Sequence, residues 1–218
     1  MKIEAVLTGD IVNSTRLSSQ ALASVFASLE ETADMIRSWT QRDVPGLDRH
    51  RGDGWQFVPP HPMFSLRAAL ALRASVRRLG DEFDTRIAVG IGPGVVRENL
   101  GGSEGQAFEL SGRLLSLLGG AHRLAADASG LHPDRPHGPE WALFKGMFRL
   151  GDAISSGWTT RQAELFLLQS APRPPSAAEI AGRLGVSRQA VESGFNRAGG
   201  DALTAACESV ETALGELE

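Results

Sequence analysis

The sequence predicts an α+β domain followed by a small all-helical module, and three observations carry that expectation. Strand-like alternation and helix-like spacing follow one another in the order β-α-β-β-α-β, with an extra helix and strand, over the first ~150 residues. Gly52-Asp53-Gly54 marks a tight hairpin between two short apolar stretches. From Trp158 onward the strand signals cease and helix caps recur.

In chain order, Ile3, Ala5 and Leu7 alternate in an opening strand that Asp10 follows. Apolar residues at three- and four-residue steps (Leu22, Val25, Phe26, Leu29, Ala33, Ile36) predict a long helix from Leu17 to Arg42. The hairpin comes next. Pro59-Pro60-His61-Pro62 stops its second strand and opens a helix over Met63 to Leu79. Arg86 to Gly92 reads as a strand with Ile87, Val89 and Ile91 on one face, and a Gly-rich loop leads to a helix over Glu109 to Leu118. His122 to Asp127 completes the set as a strand, and Gly130 to Pro139 is loop. This order suggests an antiparallel sheet with helices on one face. Glu140 to Ile154 then bridges to the second module, giving domains at 1–155 and 156–218.

In that module Thr159 or Thr160 caps a helix running to Gln169. Ser176-Ala177-Ala178-Glu179 is a capping box, Gly185 ends the helix it opens, and Ser187 caps a third helix reaching Ala198. A final helix follows.

Composition narrows the classes. The chain has 218 residues, 42% hydrophobic and 22% charged, as in ordinary globular proteins. A net charge of −4 offers no broad basic surface to nucleic acid or anionic lipid. The lone Cys207 excludes an internal disulfide and a cysteine-based zinc cluster. The start runs straight into a strand, and no apolar segment reaches the ~18–20 residues that span a bilayer. A reducing cytoplasm without membrane contact is the simplest expectation. The five histidines (His50, His61, His122, His132, His137) lack zinc spacing, and the four tryptophans read as packing residues.

Asp10 and Asp53 stand at the ends of neighbouring strands, where two carboxylates make a hard-oxygen site suited to Mg²⁺ or Mn²⁺. Between the first strand and the long helix, the amides of Ile11, Val12, Asn13, Ser14 and Thr15 would face a helix N-terminus, a setting that favours a phosphate and hence a nucleotide. The alternative is that the segment only caps the helix and that Asp53 is a hairpin residue.

Thr8-Gly9-Asp10-Ile11-Val12-Asn13-Ser14-Thr15, Gly52-Asp53-Gly54-Trp55, Gly90-Ile91-Gly92-Pro93-Gly94 and Gly105-Gln106-Ala107-Phe108 together resemble the class III nucleotidyl cyclase catalytic domain over residues 1–130. The resemblance implies a ferredoxin-like palm sheet, two metal ions held by Asp10 and Asp53, attack of a 3′-hydroxyl on an α-phosphate, and a site shared across a homodimer. It also implies an Asn and, four residues on, an Arg that stabilises the transition state. Those positions hold Glu109 and Arg113, and a carboxylate beside a triphosphate opposes the chemistry. Arg49 and Arg51 lie on the strand expected to select the base, or are solvated strand residues.

Ser176 to Glu192 carries a helix-turn-helix pattern: small Ala181, turn Gly185, and packing Ile180, Leu184, Val186 and Val191. Gly194 stands where a larger apolar residue is usual, a role Phe195 can fill. Ser187, Arg188, Gln189, Asn196 and Arg197 project from the third helix as candidate DNA contacts. From Trp158 onward, however, five arginines stand against eight acidic residues, a balance of −3 that opposes phosphate binding. The cyclase-like motifs with Trp158-Thr159-Thr160-Arg161-Gln162-Ala163-Glu164 before a helix-turn-helix resemble the SatD family of bacterial proteins. Three functions follow as expectations: a cytoplasmic regulator coupling a catalytically weak or inactive nucleotide- and metal-binding domain to DNA, an active cyclase or nucleotidyl transferase using Arg113, or an interaction module with neither activity.

Overall fold

In the computed structural model, which describes residues 1–50, 52–132, 134 and 138–215, the first apolar alternation builds the central strand of a six-stranded sheet. The strands are β1 (Lys2–Ile11), β2 (Asp48–His50), β3 (Gly54–Phe57), β4 (Thr85–Val95), β5 (Glu104–Gly105) and β6 (Leu124–Asp127). They lie in the order β2-β3-β1-β4-β5, every neighbouring pair antiparallel, with β6 added parallel to β4. The expected β-α-β-β-α-β order is therefore present, but the sheet is mixed at one edge. Asp10 lies inside β1, opposite Gly54 on one side and Arg86 on the other.

Because β1 alternates, its two faces meet different partners. Ala5 and Leu7, with Trp55, Phe57, Ile87, Val89 and Ile91, pack into the main core under α1 (Ser19–Arg37) and α2 (Ser65–Arg77). The opposite face carries Glu4, Val6, Thr8 and Asp10. Here α3 (Gln106–Leu117) covers part of the sheet, burying Ala107 against Val6 and Val58. Helices thus lie on both faces, contrary to the expectation of one. The reason is local: a Cβ on Gly90 would come within 2.2 Å of the Ala107 carbonyl oxygen, so a bare β4 backbone admits the helix.

The first long helix is shorter than its periodicity predicts. A 3-10 turn (Ser14–Arg16) precedes it, and Ser18 caps α1 by accepting from the Ala21 amide. It ends at Arg37 rather than Arg42, because the chain turns away to bring Arg42 against the buried Glu4 in a two-pronged ion pair, 2.6 Å at its shorter contact.

After α4 (Pro139–Ser156), whose Trp141, Phe144 and Phe148 join the main core, come α5 (Thr160–Leu168), α6 (Ala177–Leu184), α7 (Arg188–Arg197) and α8 (Gly200–Gly215). Thr159 with Gln162 and Ser176 with Glu179 form reciprocal capping boxes. Gly185 closes α6 in the left-handed region at φ 64°, and Ser187 accepts from the Ala190 amide to open α7. Leu165, Ile180, Ala181 and Val191 pack as a small core of their own. A Cβ on Gly194 would meet Leu165 at 2.3 Å, so this glycine makes room for α5, while Phe195 stacks towards Phe166 with ring centroids 6.2 Å apart. Trp158, Phe166, Leu203, Cys207 and Val210 belong to the same apolar cluster as the residues beneath the sheet. Among the described residues no helix is long and apolar enough to cross a membrane.

Candidate functional site

The β2–β3 hairpin, the end of β1 and the start of α3 enclose an open cleft of about 550 Å³. Asp10, Asp48, His50, Asp53 and Gln56 line it from the sheet, and Gly101, Ser103, Phe108 and Leu115 from the far wall. The fold therefore brings Asp10 and Asp53 to one cavity. Above them Gln56 Nε2 donates to Thr8 Oγ1 at 3.1 Å, and the Thr8 and Ser111 hydroxyls share a buried 2.8 Å hydrogen bond that ties α3 to the sheet.

Neither carboxylate is free. Arg86, the cross-strand partner of Asp10, sends Nε to Asp10 Oδ1 at 2.8 Å and Nη2 to Oδ2, and its Nη1 donates to the Leu118 carbonyl at 2.6 Å. Its hydrogen bonds to Asp10, and then the charges of Asp10 and Asp53, hold the Arg86 pKa above its ordinary value against the opposing effect of burial. Asp53 Oδ2 accepts from Ser14 Oγ at 2.5 Å. Small divalent ions need near-octahedral oxygen shells with open lone pairs, whereas the Arg86 fork covers both Asp10 oxygens. Among the described residues no group of three or more His, Cys, Asp or Glu side chains is arranged for a metal ion. As arranged, Asp10 and Asp53 do not fit Mg²⁺ or Mn²⁺.

The predicted phosphate cradle is partly spent. The Ile11 amide donates to the Asp53 carbonyl at 3.2 Å and the Val12 amide to the Asp84 carbonyl at 2.9 Å. Asn13 is left-handed (φ 54°), and Ser14 and Thr15 open the 3-10 turn rather than α1. Arg113 lies outside the cleft lining. Its side chain is 66% exposed and reaches Asp127 at 3.7 Å. At Asp127 burial raises the carboxyl pKa, but hydrogen bonds from Ser129, aided by Lys145 and Arg113, outweigh it and the net shift is downward. Glu109 is exposed on the same helix. Arg49 stacks over the Phe26 ring at 3.6 Å, on the face away from the cleft, and Arg51 lies outside the described residues.

On the helical region, Ser187, Arg188, Gln189, Asn196 and Arg197 are all exposed along α7. Arg188 Nε is held at 2.7 Å by Glu192 one turn on. Gln162 Nε2 donates to the Arg197 carbonyl at 3.0 Å, fixing the end of α7 to α5.

Sequence reasoning missed Arg86, and also Asp48, His50 and Ser103 as cleft residues. The available signal for Arg86 was its phase: it alternates with Ile87, so it points away from the main core, but that it lies opposite Asp10 only the register discloses.

No family model matches this chain, and no curated protein does. Among solved structures it is similar to the guanylyl cyclase Cya2, at 16% identity and a TM-score of 0.39, over 60% of this chain and 77% of that one.

Proposed function

We propose that this protein is a regulator that contacts DNA through α6, its turn and α7, and that its sheet domain is a nucleotidyl cyclase-like body, of the kind the SatD-like motifs suggest, that does not perform cyclisation. The observation that carries the reading is the α6–Gly185–α7 arrangement with Ser187, Arg188, Gln189, Asn196 and Arg197 exposed on one short helix. Support for the silent cleft comes from Arg86 on Asp10 and from Arg113 lying on Asp127 rather than over the cleft. Homodimerisation belongs to the same proposal as a route to stronger binding, since two recognition helices would double the few cationic contacts a single copy offers.

Fluorescence anisotropy with genomic DNA fragments at several salt concentrations tests it. Binding should weaken with salt, and Arg197→Ala should reduce affinity and lower the salt slope by about one. Salt-independent binding, or affinity untouched by Arg188→Ala and Arg197→Ala together, overturns the reading.

A further inference from the structure

The acidic cleft is built with its own counter-ion. Asp10 on β1 and Asp53 in the hairpin line one cavity with Asp48, and three carboxylates facing common space repel one another. In a two-metal site divalent ions relieve that repulsion. Here Arg86 enters from β4 in register with Asp10, covers both of its oxygens, and is close enough to Asp53 for that charge also to raise its pKa. Its remaining Nη1 donates to the Leu118 carbonyl, just past the last turn of α3, where a cation is favoured by the helix dipole. The guanidinium is thus held by three hydrogen bonds to two partners and cannot leave without exposing both Asp10 and the end of α3.

We propose that Arg86 occupies the place a divalent cation would take against Asp10, so that the cleft is metal-independent. The fork geometry favours this over a simple point charge, because two parallel hydrogen bonds satisfy the carboxylate that a metal would otherwise ligate. The competing possibility is that Arg86 only clips β4 to α3, with cation binding at the aspartates unaffected. The inference deepens the reading of a cleft without turnover and is independent of DNA contact by α7.

Titration of the full chain with Mn²⁺, followed by the paramagnetic resonance of the free ion and by melting temperature, separates the two. Wild type should show no saturable site and no thermal shift. Arg86→Met, which keeps the stem and removes the charge, should bind Mn²⁺ saturably, at a concentration at least about tenfold below the highest at which wild type shows none, and adding Asp53→Asn should erase that gain. A folded Arg86→Met with no gain overturns the proposal. So does saturable binding by wild type that Asp10→Asn abolishes, and this second arm decides the matter if Arg86→Met fails to fold. DNA anisotropy on the same samples keeps this result distinct from the fate of the DNA-binding reading.

Discussion

Arg67 of α2 and Glu211 of α8 form a two-pronged ion pair across 144 residues of sequence, with the Arg67 side chain only 5% exposed. Burial alone would lower the Arg67 pKa, but the hydrogen bond and charge of Glu211 outweigh it and the net shift is upward. Arg67 also donates to the Ser170 carbonyl at 3.2 Å. Removing one partner leaves a buried charge uncompensated, so Glu211→Ala should cost about 3 kcal/mol in urea denaturation. Because the cation sits between the sheet's helices and the tail, far-ultraviolet circular dichroism and tryptophan fluorescence should report the same lowered midpoint.

Cys207 lies beside this pair, and burial pushes its thiol up to about 12 despite the nearby Arg67. The folded state therefore holds its proton longer than the unfolded state. The stability this contributes is complete below the ordinary value of 9.0 and drains away as pH climbs towards about 12. Denaturation midpoints at pH about 8 and about 10 should differ more in wild type than in Cys207→Ala. A thiol reagent should label the native protein slowly and the unfolded protein at once.

Gly90 is the point where α3 touches the sheet. An added methyl would strike both the Ala107 carbonyl and the Ser111 amide, the latter at 2.5 Å, and both are backbone atoms. Gly90→Ala should destabilise the fold by about 1–3 kcal/mol and break the Thr8–Ser111 hydrogen bond. Thermal melts check the first effect, and a double-mutant cycle with Thr8→Val checks the second, since that change should cost less in the Gly90→Ala background.

Glu192 restrains Arg188 on the exposed side of α7. Freeing Arg188 by Glu192→Gln removes both a competing carboxylate and a negative charge from the exposed face of α7. If α7 contacts DNA, this variant should bind about two- to fivefold more tightly than wild type, with a steeper salt dependence. Anisotropy on one fixed fragment measures it. Stability should change little, since exposed pairs at this spacing contribute only about 0.3–0.5 kcal/mol.

Local chemistry was readable from the chain, and long-range register was not. Ser176 with Glu179, Gly185 and Ser187 announce the helix ends that the structure shows, because a cap is a matter of three or four neighbouring residues. The hairpin at Gly52, with φ 82°, is legible for the same reason. Arg86 was not, since its meaning comes from a residue 76 positions away. The placement of α3 was half-visible: Ala88, Gly90 and Gly92 alternate with Ile87, Val89 and Ile91, and small residues on one face of a strand leave room for a close neighbour. The early end of α1 depends on Arg42 finding Glu4, which no helical periodicity encodes.

The apolar cluster that passes from Leu66 and Leu70 of α2 to Phe166, Leu203 and Val210 makes the tail a lid on the helix layer beneath the sheet. Severing the chain after Ser156 would strip that lid away and wet greasy surface on each fragment, so neither piece should stay dispersed when made by itself. Motion at α7 would likewise have to travel through solid packing rather than a slack tether.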